Sequence, residues 1–440
     1  DFLNIIITSI INFINIFVKK IQNIDFSSVF CYHKTMDKSQ LLFFEVTNFR
    51  SIYGTQRLDL RTKHKNGRKT TAIYGPNASG KTNISNALGF MKWFVVNSTN
   101  ASITQAPYEP FLLRDHSSKE DSTFKVEVLN RGRNMCYEFS INEKGITREE
   151  LTEYLGDGSR RLLFRRSLDG LNSKASSYGF GKKLLESTLN NALLLTKARE
   201  NNNEYANVVF EWFANSLNVL AGEPRETEKW SLNAIKGNSE LKSGVLDLLK
   251  EADFWIKDFD IEEVDVPEDI LNQLPFIDDV RASIPRRATS VKTTHTVRNI
   301  NHEVVGVKTF DMGSQESAGT QQFFNLAAPI LHTIANGMTL YIDEFGTYLH
   351  SDICQFIVKL FQSEKINSTG AQLIFNTHDT SLMSKDIDLL KREDIVIVEK
   401  NYMEETLITP LTDKSVREGE SFEKRYREGI YGGKPLVRIE

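Results

Sequence analysis

The chain has 440 residues, a formal net charge of −4, 40% hydrophobic residues and 25% charged residues. This length exceeds one average domain and the composition is that of an ordinary globular protein, so we expect a core domain with an inserted or appended lobe. The charge provides no global basic field of the kind that favours nucleic acid. The three distant cysteines, Cys31, Cys136 and Cys354, indicate neither a disulfide framework nor a zinc site, and they fit a cytoplasmic protein.

The first 18 residues are mostly Ile, Phe and Leu interrupted by asparagines, with Lys19 and Lys20 behind them. A membrane span would be longer and would avoid asparagine, and a signal peptide would carry its positive charge before the apolar run. The Ile, Asn, Phe and Lys bias is that of translated AT-rich DNA. We therefore expect translation to start at Met36, residues 1–35 to be a non-native or disordered extension, and no membrane contact.

Residues 36–157 have the pattern of short strands. Apolar runs predict strands over Leu41–Thr47, Gln56–Leu60 and Thr70–Tyr74. Three further alternating runs, separated by turn residues, predict an antiparallel meander over Phe124–Leu129, Asn134–Ile141 and Ile146–Tyr154.

The strand Thr70–Tyr74 leads into a phosphate-binding loop of the pattern G-x-x-x-x-G-K-[ST]. Its glycines let the backbone approach phosphate oxygens, and the N–H groups at the start of the following helix point at the anion. The lysine supplies a charge to the β- and γ-phosphates and the threonine a hydroxyl to Mg²⁺. We predict that ATP and Mg²⁺ bind to Gly75, Pro76, Asn77, Ala78, Ser79, Gly80, Lys81, Thr82 and Asn83.

Residues 158–292 are predicted to be an inserted helical lobe that begins after the turn residues Asp157-Gly158-Ser159. Helical spacing occurs over Lys182–Leu195, Asn203–Leu220 and Leu241–Phe254, with a polar connector at Ala221–Trp230. Two basic clusters, at 160–166 and 281–292, leave DNA contact open beside the commoner reading of a solvated surface. We expect Arg281–Lys292 to be a mobile loop.

Residues 293–440 are predicted to complete the core domain. A hairpin is expected over Thr294–Ile300 and Glu303–Phe310, and a Ser-x-Gly turn then opens a helix, where backbone N–H groups can hold an anion. The apolar strand Met338–Ile342 ends in Asp343 and Glu344, which can hold Mg²⁺ and polarise a water molecule. A second buried strand ends in His378, which can reach a γ-phosphate.

The order of these motifs resembles the ABC-type ATPase head shared by SMC, RecF and OLD-like proteins, an α/β fold with a mixed sheet and an antiparallel β meander. The resemblance implies that Gly75–Thr82 is Walker A and that Ser317, Gly319 and Gln321 belong to the signature motif. It further implies that Asp343 binds the metal, Glu344 is the general base, Phe345–His350 is the D-loop and His378 is the switch histidine. Arg50, in the segment Asn48–Ser51, would lie near the nucleotide.

Two features depart from that pattern: no Q-loop glutamine stands out near Tyr108–Phe111, and the insertion lacks long heptad arms. The modest lobe and the segment Phe422–Gly432 resemble a narrower group, the stand-alone ATPase subunits of anti-phage systems such as the first subunit of AbiL and AriA of PARIS. About 60 residues follow His378, too few for a fused Toprim nuclease, so we expect any nuclease to be a separate chain.

The resemblance implies a homodimer that sandwiches two ATP molecules, with a larger assembly left open. The first hypothesis is therefore an ATP-hydrolysing sensor and scaffold of an abortive-infection system, which switches a separate Toprim or RloB-like effector. The alternative is a RecF- or SMC-like DNA-repair ATPase that DNA stimulates. A module that only holds ATP is disfavoured by the intact Glu344, and a transporter head by the missing Q-loop.

Overall fold

The computed structural model of the protein describes residues 38–434 except 65, 222–223, 266–286 and 416–418. The predicted extension, residues 1–35, lies outside this part of the chain. The described residues form two compact units. The inserted unit lies within Glu223–His332, and the head unit comprises the segments within Tyr32–Gly222 and Thr333–Glu440.

The head unit contains a six-stranded mixed sheet. In spatial order, with strands numbered along the chain, it consists of Thr406–Pro410 (β16), Ile395–Lys400 (β15), Thr70–Tyr74 (β3), Gln372–Asn376 (β14), Thr339–Ile342 (β13) and Leu217–Leu220 (β9). All neighbours are parallel except β15 and β16. Every residue of β3, β13 and β14 is buried, as is typical of parallel strands covered on both faces, and their sequences are mainly apolar.

A seven-stranded antiparallel sheet forms the second layer of the head unit. Its spatial order is Gln56–Asp59 (β2), Gln40–Thr47 (β1), Ser122–Asn130 (β4), Arg133–Asn142 (β5), Gly145–Tyr154 (β6), Arg160–Ser167 (β7) and Gly170–Leu171 (β8). The helix Lys81–Asn97 (α1) packs against this sheet, with ring centroids 4.9 Å apart for Phe90 and Phe124 and 5.5 Å apart for Phe94 and Phe139. The other helices of this unit are Lys182–Glu186 (α2), Leu194–Glu200 (α3), Glu204–Glu211 (α4), Ser351–Gln362 (α9) and Phe422–Arg427 (α10).

The inserted unit combines helices with a three-stranded antiparallel sheet. Its elements are the helices Pro224–Ile235 (α5) and Ser239–Glu251 (α6), the strands Asp258–Asp265 (β10), Arg287–Arg298 (β11) and Val304–Asp311 (β12), and the short helix Met312–Gln315 (α7). The helix Ala318–Asn336 (α8) begins here and packs Phe323 on Phe254, with ring centroids 4.9 Å apart. The predicted hairpin is observed as β11 and β12, whereas the predicted loop Arg281–Lys292 contains the start of β11.

The bounds of the inserted unit differ from the predicted lobe, residues 158–292. Residues 160–171 extend the antiparallel sheet because Asp157-Gly158-Ser159 is a hairpin turn rather than a domain boundary; Asp157 Oδ1 accepts a hydrogen bond from Ser159 N at 2.8 Å. The helices between 182 and 211 also belong to the head unit. The predicted lobe is moreover not purely helical, since β10 and part of β11 fall within it.

The α/β fold class is confirmed, with its mixed sheet and its antiparallel meander. Within the described ranges, none of the helices combines the length and apolar character that a bilayer crossing requires.

Candidate nucleotide-binding site

The predicted phosphate-binding loop connects the buried strand β3 to helix α1. Ala78 and Gly80 have φ values of 62° and 101°, in the left-handed region. A Cβ atom on Gly75 would lie 2.2 Å from the Val398 carbonyl oxygen, and one on Gly80 would lie 2.0 Å from Thr406 Oγ1. Both positions therefore need glycine, and the tight loop directs backbone N–H groups at the start of α1, where an anion binds best.

Lys81 is folded onto its own loop. Its Nζ atom donates to the carbonyl oxygens of Gly75 at 2.8 Å and Pro76 at 2.9 Å, and the residue is buried. Burial lowers the pKa of Lys81, against the opposing charges of Asp343 and Glu344. These two carbonyl contacts hold the ammonium group within the loop that a phosphate would enter.

Ser79 supplies a direct indication that the loop takes a ligand. The residue is 2% exposed, and its hydroxyl has no hydrogen-bond partner within the described part of the chain. Buried hydroxyl groups normally have a partner, so an orphan at this position fits a site that is completed by a phosphate oxygen or a water molecule.

Two carboxylates follow strand β13, and one of them is oriented from the next strand. Asn376 Nδ2 donates to Asp343 Oδ1, while Asn376 Oδ1 accepts a hydrogen bond of 2.6 Å from the buried Tyr341 hydroxyl. Glu344 is exposed and has a φ of 54°, so the chain turns sharply between the two carboxylates. This arrangement fixes Asp343 and leaves Glu344 facing solvent.

His378 follows strand β14 in a turn that two hydrogen bonds of Thr377 hold to neighbouring segments. Thr377 N donates to Ile73 O at 3.1 Å, and Thr377 Oγ1 donates to Phe345 O at 2.8 Å. Burial lowers the pKa of His378, and the Lys81 charge adds to this effect, whereas Glu344 and Asp343 oppose it. The imidazole is therefore neutral at pH 7.

The structure brings most of the predicted site residues to one cavity of about 550 Å³. Predicted residues that line it are Asn77, Ala78, Ser79, Gly80, Lys81, Thr82, Asn83, Asp343, Glu344 and His378. Thr82 and Asp343 offer two oxygen ligands, which suits Mg²⁺ because this ion takes its other ligands from phosphate and water. The described residues contain no cluster of three or more His, Cys, Asp or Glu that would form an all-protein metal site.

Arg50 lies beside this cavity rather than in its lining. Its Nε atom forms an ion pair with Glu109 Oε2 at 2.6 Å, and both residues line a neighbouring cavity of about 1050 Å³. Ser51 and Lys400 line both cavities and so connect them. The region near Tyr108–Phe111, where a Q-loop glutamine would be expected, thus contains Glu109, which pairs with Arg50.

The predicted signature residues Ser317, Gly319 and Gln321 lie in the inserted unit. Ser317 is exposed and caps helix α8, because its Oγ atom accepts from Thr320 N at 3.1 Å. Gln321 Nε2 donates to the carbonyl oxygen of Glu316 at 3.0 Å. The Ser317 hydroxyl also lies 2.8 Å from Thr320 Oγ1. The first backbone N–H groups of α8 have no partner within the helix.

Sequence reasoning missed the polar side chains that support the loop from other strands. Ser51 Oγ accepts from Asn83 Nδ2 at 2.6 Å and lies 2.7 Å from Thr406 Oγ1, which in turn donates to Ser79 O at 2.9 Å. Asn376 was also missed, although a polar residue at the end of an apolar strand is a usable signal. Thr406 gave no signal, because its role arises only from the pairing of distant strands.

The C-terminal segment contacts the same region. The Tyr426 ring lies 5.7 Å from the Tyr74 ring, and Arg427 Nε and Nη2 donate to Thr380 Oγ1 at 2.9 and 2.8 Å. Tyr74 OH donates to the carbonyl oxygen of Asp379 at 3.1 Å. Helix α10 therefore packs behind the last residue of β3 and beside the turn that carries His378.

Three adjacent parallel strands carry a phosphate-binding loop, two carboxylates and a histidine at their carboxyl ends. Together with the antiparallel sheet of the same unit, this arrangement defines the head of an ABC-type P-loop ATPase. The family model described as "AAA domain, putative AbiEii toxin, Type IV TA system" matches residues 70–384. The chain belongs to this family.

Similar solved structures include two SMC heads and RecF. The SMC head bound to the C-terminal winged-helix domain of ScpA is 12% identical, with a TM-score of 0.42, 84% of this chain covered and 97% of that chain. The SMC head domain from Thermotoga maritima is 14% identical, with a TM-score of 0.39 and coverages of 84% and 98%. RecF bound to ATPrS, described as a recombination mediator protein of the RecFOR pathway, is 12% identical, with a TM-score of 0.33 and coverages of 86% and 100%. No match was found among curated proteins.

Proposed function

We propose that this protein binds and hydrolyses ATP with Mg²⁺ at the cavity between the phosphate-binding loop, Asp343, Glu344 and His378. The observation that carries the proposal is the convergence of a buried lysine, an orphan serine hydroxyl, an oriented aspartate and an exposed glutamate in one cavity of about 550 Å³. None of these motifs by itself requires the other groups to lie in the same cavity.

Each side chain has a role that its position supports. Lys81 would exchange the carbonyl oxygens of Gly75 and Pro76 for phosphate oxygens. Thr82 and Asp343 would hold Mg²⁺, which when bound would supply charge neutralisation for the phosphates. Glu344 orients a water molecule and accepts its proton as the water oxygen bonds to the γ-phosphorus and the bond to the bridging oxygen of ADP breaks. Neutral His378 donates an N–H to the γ-phosphate.

We propose that the complete site needs two copies of the chain. Ser317, Gly319 and Gln321 are exposed or partly exposed at the start of helix α8. The backbone N–H groups of the first turn can bind an anion there. A second copy would supply the phosphates, so that two ATP molecules lie between Walker A of one chain and the signature of the other. Association then depends on bound ATP, and hydrolysis ends it.

In the cell, we propose that the ATP-dependent dimer is a sensor and scaffold of an anti-phage, abortive-infection system. Membership of the family of AAA domains described as putative AbiEii toxins of a type IV toxin–antitoxin system supports this assignment. The dimer would hold or release a separate effector of the Toprim or RloB-like kind, and α10 is a suitable transmitter because it contacts the His378 turn.

The basic cluster of β7 gives little support to the DNA-repair alternative. Arg161 pairs with Glu153, Arg165 with Glu150, and Arg166 is buried beside Glu149. These three charges are satisfied within the protein, whereas Arg160 at the start of the strand is exposed. One exposed arginine does not form a phosphate-binding stripe.

ATP turnover by the full chain, with and without double-stranded DNA, tests the proposal. We expect slow turnover that is indifferent to DNA and falls by about two orders of magnitude or more in Glu344→Gln, because the general base is lost. Glu143→Gln, which changes an exposed carboxylate at the neighbouring cavity, is the matched control. Strong stimulation by DNA would favour the repair function, and equal turnover in Glu344→Gln would contradict the assigned chemistry.

A further inference from the structure

The segment that leads to Ser317, which contains helix α7, is attached at both ends to one strand of the inserted unit. At its start, Asp311 Oδ2 accepts from Ser290 Oγ at 2.9 Å and from Lys292 Nζ at 3.0 Å. At its end, Glu316 Oε1 accepts from Thr293 Oγ1 at 2.5 Å and from His295 Nε2 at 2.8 Å. All four donors come from β11.

The second attachment is well protected from solvent. Thr293 is fully buried, and the side chains of Glu316 and His295 are 11% and 22% exposed. Hydrogen bonds to an ionised carboxylate in such surroundings are among the stronger ones in proteins. The two donors converge on one oxygen atom and so restrict both the position and the rotation of Glu316.

Glu316 also acts through its backbone. Its carbonyl oxygen accepts from Gln321 Nε2 at 3.0 Å, and the next residue, Ser317, caps helix α8 through Thr320 N. A displacement of Glu316 would therefore move the serine hydroxyl and the first exposed N–H groups of α8 together.

We propose that Thr293, His295 and Glu316 form a clasp that positions Ser317 for the γ-phosphate of the ATP bound to a second copy of the chain. Thr293, His295 and Glu316 are positioning residues, since their contacts reach the nucleotide only through Ser317. The inference rests on the proposed two-copy site. It adds that β11 sets the geometry of the signature half of that site.

The variants that test the clasp differ in whether they keep its hydrogen bonds. His295→Ala and Glu316→Ala remove the contact, whereas His295→Gln keeps an N–H donor and Glu316→Gln keeps the accepting oxygen. His302→Asn in the turn of the same hairpin is the control, because the side chain is exposed and asparagine tolerates the φ of 65° at this position. Ser317→Ala provides the reference effect, and thermal unfolding shows which variants are folded.

Three quantities are measured on the full chain: ATP affinity at a protein concentration that keeps it monomeric, the concentration of half-maximal ATP-dependent dimerisation in a Glu344→Gln background, and kcat. For His295→Ala and Glu316→Ala we expect unchanged ATP affinity, with dimerisation and kcat each weakened by about 10- to 100-fold, because misplacement of a catalytic group costs this much. His295→Gln, Glu316→Gln and His302→Asn should stay within about threefold of the unaltered protein, since the positioning contact is kept.

A clasp that only stabilises the fold would give a different result. Then His295→Ala would lower the unfolding temperature but leave dimerisation and kcat unchanged while Ser317→Ala impairs both, which overturns the clasp and leaves the two-copy site intact. If Ser317→Ala itself has no effect, the two-copy site is wrong and the clasp falls with it. Loss of function in His295→Gln equal to that in His295→Ala also contradicts the hydrogen-bond role.

Discussion

At the residue scale, the orientation of Asp343 depends on a side chain from the neighbouring strand. Asn376 uses its amide nitrogen for Asp343 and its amide oxygen for Tyr341, so one residue connects the carboxylate proposed to bind Mg²⁺ to a buried tyrosine. Partners of this kind fix a ligand that would otherwise rotate, and their loss usually weakens metal affinity or activity.

We therefore expect Asn376→Ala to weaken the apparent affinity for Mg²⁺ by about 10- to 100-fold, measured as the Mg²⁺ dependence of ATP turnover. Tyr341→Phe removes only the hydrogen bond from Tyr341 to Asn376. It leaves the Asn376–Asp343 contact in place, so we expect a smaller change in Mg²⁺ affinity. An unaltered Mg²⁺ dependence in Asn376→Ala would show that Asp343 does not need this partner.

The protonation of His378 is a second property at this scale. Burial and, secondarily, Lys81 place its pKa below the ordinary value of about 6.5, so the folded protein binds fewer protons than the unfolded chain as the pH falls below 6.5. The contribution to stability from neutral His378 is thus complete above that pH and is lost progressively below it.

We expect the pKa of His378 to rise in Lys81→Met, because the neighbouring positive charge is removed. NMR titration of the imidazole resonances measures the pKa, and the missing signal in His378→Gln assigns it. A pKa that stays unchanged in Lys81→Met would mean that the two side chains are too far apart to interact.

The residues of the site that sequence reasoning identified are those carried by continuous motifs. Gly75–Thr82, Asp343, Glu344 and His378 each follow an apolar strand, and parallel strands bring their ends together. Asn376 also ends an apolar strand and could have been found in this way. Thr406 could not, because its partner, the carbonyl oxygen of Ser79, is distant in the chain and becomes known only with the register of the sheet.

At the scale of elements, strand β6 and helix α3 are joined by a buried carboxylate. Glu149 is fully buried, and its oxygens accept from Leu194 N at 2.7 Å and Leu195 N at 2.8 Å, with Tyr137 OH at 2.9 Å and Arg166 at 3.5 Å. The carboxylate thus satisfies N–H groups at the start of α3, which have no partner within the helix.

Replacement of Glu149 by alanine should lower the free energy of unfolding by about 3–5 kcal/mol, because Arg166 would stay buried without its carboxylate. Chemical denaturation measures the change. Glu143→Ala, at an exposed glutamate in the adjoining turn, should change it by less than about 0.5 kcal/mol. Equal effects for both variants would contradict the role of the buried contact.

Two elements were assigned wrongly from the sequence, for identifiable physical reasons. The turn Asp157-Gly158-Ser159 was interpreted as a boundary, although its residues equally suit a hairpin. Strand β7 was missed because two pairs of arginines enclose its three apolar residues, which leaves no alternation to indicate a strand. Leu217–Leu220 was included in a helix, but a π-helical turn at Trp212–Ser216 ends that helix and the segment becomes the edge strand β9. Its parallel pairing with β13 is a long-range contact that local periodicity does not report.

At the scale of the whole molecule, the described cavity holds the Walker A side of the proposed site, and the signature side belongs to a different compact unit. The central claim is that ATP joins these two halves from two copies of the chain. This claim predicts that the protein changes from a monomer to a dimer in solution only when both ATP and Ser317 are present.

The most direct measurement is light scattering of the Glu344→Gln protein with and without ATP and Mg²⁺. We predict a monomer without ATP and a dimer with it, because slow hydrolysis would leave the sandwiched nucleotide in place. Lys81→Ala combined with Glu344→Gln should stay monomeric, because this variant binds ATP weakly. Ser317→Ala combined with Glu344→Gln should bind ATP and still stay monomeric. A Glu344→Gln protein that is saturated with ATP and remains a monomer would contradict the account.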